Sequence, residues 1–410
     1  DGKFVFNGQG LVSRSEITTR ETSFTTDALN HKFTTITQAK DVNGFENGRM
    51  KNFTRTTLDE GLVRKEVISN ASYDSWGQVL HSESVVTEKG AASGTTLNHE
   101  TTVTTDNTYD TSTTNLGRLT NVTRTVNDQK KKTTEVTKFT EFDDQNHVLL
   151  QTSNFTEEDT FDETHIGEHP EDDFLKIYAV ETAYTPDSYN ALGQAEGWTR
   201  TTTDKNSLGV TFKKTTENVS GAVFDQLGRL SNMTSTTNEL SLTPGNPLDL
   251  TSTVSTSITY NRLGLALTHT RRTQELGGGK VSIEANTGMT YTAEGRLEKS
   301  VMVVTDRSVA APGVVEGAVL DATHTIETIK NIYDLLGRLS SIVRKTTEGD
   351  KETKETSNVM VYQTDGQLRA SDTDQTETSS KMDPTYTRIS VRDTTYNPLG
   401  QSNGYSRTAR

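Results

Sequence analysis

Polar and apolar residues alternate one for one over long stretches of this chain. Thr253, Ser255, Ser257 and Thr259 fall on one face of an extended segment, and Val254, Thr256, Ile258 and Tyr260 on the other. A period of two predicts strands with one wet and one buried face. No segment carries its apolar residues at helical spacing. The alternation is interrupted by a recurring cluster: an aromatic, Asn or Asp, two variable residues, Gly, a polar residue, then an aliphatic. Tyr333-Asp334-Leu335-Leu336-Gly337-Arg338-Leu339 is the fullest copy, and Phe224 to Leu230 is nearly identical, with Asp225 and Gly228 in frame. The same frame holds Tyr73, Asp74 and Gly77; Tyr189, Asn190 and Gly193; Tyr260, Asn261 and Gly264; and Tyr396, Asn397 and Gly400.

Further copies depart from the frame. Tyr291 to Leu297 and Tyr362 to Leu368 lose the acid, Phe6 to Leu11 reads as shortened, and Tyr109 to Leu119 carries an insertion before Gly117. Gly48 and Asn146 mark two degenerate copies. Twelve anchors result, near 6–11, 43–50, 73–79, 109–119, 142–148, 189–195, 224–230, 260–266, 291–297, 333–339, 362–368 and 396–402. Their glycines recur at roughly 35-residue intervals, the mark of a repeat architecture. The physics of the cluster is legible. The aromatic ends a strand and packs on the core face, Asx opens a turn by bonding its own backbone, and Gly supplies a positive φ. A second set of turns, among them Asn206 to Gly209, Thr243 to Pro247, Gly277 to Gly279 and Glu348 to Asp350, falls mid-repeat. One repeat is expected to hold two to three strands, and the fold to be all-β: 1–410 as a single array of antiparallel hairpins, one long sheet that coils into a tube or shell. Hairpins that are marginal alone share a core when stacked.

Composition sharpens this. Only 30% of residues are hydrophobic, the net charge is -14 and there is no cysteine. Low hydrophobicity with net charge suits disorder. Against that stand 73 threonines, only 7 prolines, and 12 tyrosines and 13 phenylalanines, many at regular positions. Threonine favours strands, so the chain is expected to fold around a thin core. The absence of cysteine removes disulfides and thiolate chemistry. The acidic balance argues against nucleic acid, and no apolar run is long enough to insert in a membrane as a helix.

The anchor resembles the YD repeat of the RHS/YD-repeat family, which includes bacterial RHS proteins, cage-forming subunits of insecticidal toxin complexes and the teneurin shell. Tyr333 to Leu339 matches the family's Y-D-x-x-G-R-L pattern in full, and Phe224 to Leu230 matches with Phe for Tyr. The resemblance implies a β-shell or β-solenoid. The repeats here are longer and Thr-rich, and Asp383-Pro384 continues with Thr385 and Tyr386 rather than Gly-Leu. The chain reads as a window on a longer repeat protein.

Candidate chemistry is sparse. His165-Ile166-Gly167-Glu168-His169 spells an inverted zinc-protease motif, with His165, Glu168 and His169 as ligands and base. Gly167 and Pro170 oppose the helix it needs, and the motif lies in an acidic stretch read as an insertion loop over 157–177. Asp41 to Gly48 resembles part of a calcium loop without its closing Glu. Asp74, Asp110, Asp225 and Asp334 offer carboxylates for calcium, although turn formation explains them without an ion. Gly277-Gly278-Gly279-Lys280 lacks phosphate-loop spacing, and no G-x-S-x-G elbow supports a hydrolytic triad. The Thr rows could form flat hydroxyl arrays for ice, or simply pair across strands. The sequons at Asn52, Asn70, Asn121, Asn154, Asn218 and Asn232 are no more than so much Thr and Ser produces by chance. No catalytic site or cofactor is expected. The leading expectation is a non-enzymatic extracellular structural protein: a filament, stalk, sheath or adhesin whose partners are copies or further repeats of itself, head to tail. The alternative is a hollow shell around a cargo polypeptide. A third is a carbohydrate-binding adhesin that meets surface glycans through Trp76 and Trp198.

Overall fold

The computed structural model of the chain describes residues 2–22, 30–40, 44–59, 61–91, 97–112, 116–128, 131–159, 175–243, 245, 248–276, 279–308, 316–317, 320–396 and 402–410. The chain opens with β1 (Gly2–Phe6), β2 (Val12–Thr22) and β3 (Asn30–Ala39). A small two-stranded sheet follows, β4 (Phe45–Glu46) with β5 (Arg49–Met50). Then come β6 (Phe53–Asp59), β7 (Leu62–Tyr73), β8 (Val79–Gly90), β9 (Asn98–Tyr109), β10 (Leu119–Asp128), β11 (Lys131–Phe142) and β12 (Val148–Asp159). β13 (Leu175–Tyr184), β14 (Trp198–Lys205), β15 (Thr211–Phe224), β16 (Leu230–Ser241), β17 (Asp249–Tyr260), β18 (Ala266–Leu276) and β19 (Lys280–Tyr291) continue the series. β20 (Leu297–Ser308), β21 (Asp321–Tyr333), β22 (Leu339–Glu348), β23 (Lys351–Tyr362), β24 (Leu368–Ser379), β25 (Met382–Tyr396) and β26 (Ser402–Ala409) complete it. The described residues contain no helix, and so none long and apolar enough to cross a membrane.

All strands but β4 and β5 form one 24-stranded sheet, each antiparallel to its neighbours in the chain. It is an open meander: among the described residues β1 pairs only with β2, and β26 only with β25. Taken in pairs, the strands make twelve hairpins, so a repeat has two strands. The joins within repeats, β7–β8 or β21–β22 for instance, lie at one rim of the sheet, and all hold anchors. The joins between repeats lie at the opposite rim.

The expected wet and buried faces do not separate. In β17, residues of both faces are half-buried along most of the strand. The cause is that the sheet is a single layer; among the described residues no helix and no sheet larger than the β4–β5 pair lies against it. Its accessible surface is 24125 Å² for a 45.1 kDa chain, whereas a compact monomer of that mass exposes about 16,000 Å². Among the described residues the buried apolar side chains are Ala39, Ile68, Ala71, Val219, Ala222, Val281 and Ala370, mostly small. Threonine suits such a surface, because its methyl packs on neighbours while its hydroxyl pairs across strands. Thr137 meets Ser153 at 2.6 Å, Ser357 meets Thr373 at 2.7 Å and Thr259 meets Thr268 at 2.7 Å. Each such pair contributes roughly 0.2–1 kcal/mol relative to Ala–Ala. Cross-strand ion pairs add to the ladder, as in Lys132–Glu158 and Lys351–Glu377.

Several strands carry a register break shortly before their anchor aromatic, at Ser69/Ser72, Ser220/Val223, Thr287/Thr290 and Arg392/Thr395. Asn70, Gly221, Gly288 and Asp393 take positive φ inside these breaks. Bulges of this kind bend a strand and increase its twist. The bend is large enough for the sheet to meet itself. The β6–β7 turn lies on the β21–β22 turn, so close that a Cβ on Gly61 would fall 1.9 Å from the carbonyl oxygen of Leu335. At the β8–β9 join, the Asn98 N–H donates to the Thr364 carbonyl in the β23–β24 turn, 2.7 Å away. Both contacts step fifteen strands along the sheet. The join rim of early repeats therefore rests on the anchor rim of late ones.

Candidate functional site

The residues that recur in the sequence meet at the anchor rim. Most of the anchor turns are built the same way. The Asx N–H bonds the carbonyl four residues on, and the Gly N–H returns to the Asx carbonyl: Asp225 to Arg229 at 2.8 Å with Gly228 to Asp225 at 2.9 Å, and Asp334 to Arg338 at 2.8 Å with Gly337 to Asp334 at 3.0 Å. The Asx side chain closes the loop. Oδ1 of Asp74, Asn190, Asp225, Asn261 and Asp334 accepts from the N–H groups two and four residues later. Gly77, Gly193, Gly228, Gly264 and Gly337 all have positive φ. Where the sequence has Asn146 for Gly, that asparagine takes φ 70 and the turn at Asp143 forms unchanged. Thr292 substitutes its hydroxyl for the missing acid, accepting from the Arg296 N–H.

Three expectations need correction. Phe6 to Leu11 is not shortened: Phe6 pairs with Val12, and Asn7 closes a full frame. The 43–50 anchor is a different device, a two-residue turn of Asn47 and Gly48, both at positive φ, between β4 and β5. Such a turn needs no Asx loop, because positive φ at both positions matches the strand twist. The ends of the 157–177 insertion are strands: Glu157 pairs with Lys176, and Glu158 with Leu175. Conversely, the mid-repeat turn at Asn206 has the anchor construction in full. Asn397 and Gly400 lie outside the described residues, as do His165, Glu168 and His169; Tyr396 is described.

The relation between successive anchors was not legible in the motif. Each tyrosine hydroxyl donates to the carbonyl of the aliphatic residue that opened the return strand one repeat earlier. Tyr109 reaches Val79 at 3.1 Å, Tyr260 reaches Leu230 at 2.7 Å, Tyr291 reaches Ala266 at 2.6 Å and Tyr333 reaches Leu297 at 2.7 Å. Tyr73 to Met50, Tyr189 to Val148, Tyr362 to Leu339 and Tyr396 to Leu368 repeat the bond. At several repeats the polar residue after the glycine covers the aromatic ring of the next repeat. The guanidinium carbon of Arg118 sits 4.2 Å from the Phe142 centroid, that of Arg229 4.6 Å from Tyr260, and that of Arg338 4.4 Å from Tyr362. His147 stacks on Tyr189 at 4.4 Å. Gln78 and Gln194 take this position at other repeats and bond the carbonyls of Gly117 and Gly228. Thus the aromatic does more than end a strand; it is clamped by the preceding repeat.

Burial raises the hydroxyl pKa along the ladder: Tyr73, Tyr109, Tyr291, Tyr362 and Tyr396 lie above the ordinary tyrosine value, and Tyr189 is pushed up to about 12. Arg229 holds the Asp225 carboxyl below its usual range. The carboxylates considered for calcium are already engaged. Oδ2 of Asp225 accepts from Arg229 Nε at 2.6 Å, and that of Asp334 from Arg338 Nε at 2.8 Å, while Oδ1 serves the backbone. An ion would have to displace those donors. Asp110 likewise spends Oδ1 on the Ser112 N–H. Among the described residues no three His, Asp or Glu side chains gather where they could hold a metal. Trp76 stands at a turn tip, 67% exposed, and Trp198 is half-buried at the start of β14.

No protein-family model matches the chain, and no curated protein matches it. The recurring geometry is a splice that joins most hairpins to the one before, through a tyrosine hydroxyl bond where the anchor aromatic is Tyr, a stacked cation or imidazole or an amide bonded to a carbonyl, and the backbone ladder.

Proposed function

We propose that the chain is a non-enzymatic structural repeat protein of the cell exterior, a segment of a filament, stalk, sheath or adhesin. The observation that supports this most is the splice between anchors, repeated along the sheet with the same tyrosine hydroxyl-to-carbonyl bond at eight of them. Pulling the array lengthwise loads backbone ladders and splices together, and each hairpin depends on its immediate neighbours for burial. The two edge strands, β1 and β26, present open ladders to which copies or further repeats can add head to tail. The kinship with RHS/YD repeats belongs to the same proposal. It gains support from the role of each motif position: aromatic clamped, Asx closing the turn, Gly at positive φ, Arg over the next ring.

A second reading is a hollow shell around a cargo polypeptide. The fifteen-strand return of the sheet onto itself favours it, since a coiled layer encloses space. Electron microscopy of native material tests both. Uniform fibres with a subunit repeat matching this chain support the structural reading, hollow particles with internal density replace it with the shell, and dispersed monomers overturn both.

A further inference from the structure

The contact between the two rims is an interface with one surface left over on each side. At the β21–β22 and β23–β24 anchors, which meet the join rim, the second residue after the motif aromatic's Asx position is half-buried: Leu336 and Asp365. The same position is bare on three anchors remote from that contact, although Leu263 of the β17–β18 anchor is half-buried. Trp76, Leu192 and Leu227 are 67%, 65% and 70% exposed. At the opposite rim, joins later than β8–β9 also expose apolar side chains, Leu208 at 85%, Leu242 at 47% and Met382 at 60%. Isolated exposed leucines are ordinary; apolar side chains bared at successive turn tips on both rims, the two kinds of turn that already meet at Gly61 with Leu335 and at Asn98 with Thr364, mark an interaction surface.

We propose that this chain docks a second copy of itself rim on rim, the bare anchors of one copy seated on the bare joins of the other. This rests on the reading of the chain as a self-associating repeat protein, and it specifies the surface. The occupant follows from continuity with the internal contact. That contact joins the same two kinds of turn, with a fixed step of fifteen strands. A copy whose β1 lies beside β26 continues the count along the 24-stranded sheet. The β24–β25 join, with Met382, then faces the second copy's β15–β16 anchor, with Leu227. The β16–β17 join, flanked by Leu242 and Leu248, faces the second copy's β7–β8 anchor, with Trp76. Both pairings bring apolar side chains together at positions that are otherwise solvent-exposed. The backbone mode is set by the internal example, in which Asn98 N–H bonds Thr364 O and the Gly61 main chain lies on Leu335.

The lack of native cysteine makes cross-linking decisive. One preparation carries Met382→Cys and the other Leu227→Cys, mixed under mild oxidation. A second mixture pairs Leu248→Cys with Trp76→Cys. Both are expected to yield disulfide dimers in large excess over Met382→Cys mixed with Trp76→Cys, which the count places out of register. Sedimentation velocity of the unaltered chain should show concentration-dependent association, lost on Leu227→Asp while the far-ultraviolet circular dichroism stays that of the sheet. Equal cross-linking in all mixtures, or none in the first two, overturns rim docking. Fibres in the microscope without these cross-links would overturn the docking and leave the structural reading standing. A chain that stays monomeric by both methods overturns the docking and removes the support for head-to-tail assembly.

Discussion

The hydroxyl of Tyr260 donates to the carbonyl of Leu230, 2.7 Å away and one repeat earlier. The pair joins two hairpins that share a motif but no local sequence, so its removal reports on the splice alone. Tyr260→Phe is expected to cost about 0.5–1.5 kcal/mol at that junction, with the Leu230 carbonyl left short of its donor. Phe224 occupies the same position without a hydroxyl, and Phe224→Tyr should gain stability there. Native-state hydrogen exchange of amides in β15 to β18 measures both. Equal protection in wild type and Tyr260→Phe would show that the hydroxyl bond carries no stability.

Gly337→Ala and Gly209→Ala separate turn strain from ladder packing. Both glycines have φ near 80, so each alanine costs about 1–2 kcal/mol from the left-handed conformation. Space around Gly209 is open, whereas a Cβ at Gly337 would lie 2.8 Å from Arg296 Nη2 and displace the guanidinium from the Tyr333 ring. Gly337→Ala is thus expected to lower the thermal midpoint more than Gly209→Ala. The reverse order would sink the clamp as a stabilising contact.

Gly61→Ala tests the return of the sheet onto itself. The added methyl meets the main chain of Leu335, which cannot move aside as a side chain can. The rims should part there while β6 and β7 stay paired. Asn98→Cys with Thr364→Cys provides the readout, since residues joined by a backbone bond lie within disulfide reach. The intrachain disulfide should form readily in the otherwise unaltered chain and far more slowly with Gly61→Ala. Formation at the same rate in both would argue that the contact at Gly61 does not hold the rims together.

Alkali should dismantle the ladder cooperatively. Burial raises the hydroxyl pKa of Tyr189 to about 12 in the folded chain, and it also raises those of Tyr73, Tyr109, Tyr291, Tyr362 and Tyr396. The stability linked to a raised folded pKa is fully present below the unfolded value near 10 and is lost as pH rises through the folded value. Tyrosinate absorbance and loss of sheet dichroism are expected to rise together between about pH 10 and pH 12. Tyrosinate appearing near pH 10 with the sheet intact would contradict the buried hydroxyl bonds.

Acid acts on the turns instead. Hydrogen bonding from Arg229 depresses the Asp225 pKa. A depressed folded pKa contributes stability above the unfolded value of about 3.9 that is lost as pH falls through the folded one. Asp225→Asn keeps the Oδ1 acceptor for Leu227 and Arg229 but removes the charge, as the natural Asn190 and Asn261 turns do. Its unfolding midpoint should depend less on pH below about 4 than that of wild type. An unchanged acid limb would place the sensitivity elsewhere.

Much of this was legible in local chemistry. Asp334, Gly337 and their equivalents announce a turn because Asx bonding and positive φ act within a few residues. The copy at Asn146 was legible for the same reason, asparagine being the side chain that best tolerates glycine's conformation. The bulges were less so: Gly221 and Gly288 stand inside strands as a signal, but Asn70 and Asp393 do the same work without one. The partner of each tyrosine hydroxyl was illegible, because it lies some 23 to 41 residues away and is a backbone carbonyl, which leaves no residue preference behind.

By itself, then, the sequence determined the strands, the turns and their repetition, since alternation and turn chemistry are local properties of the chain. Tertiary structure alone decided how repeats engage. The arginine after each glycine could have faced solvent; packing set it over the ring of the next repeat. Thr and Ser alternating with Val and Ile could have built a sandwich with one dry face; stacking twelve hairpins in a single layer left both faces half-wet. The fifteen-strand return of the sheet follows from twist summed over many strands and bulges, and each contributes too little for any one repeat to encode it.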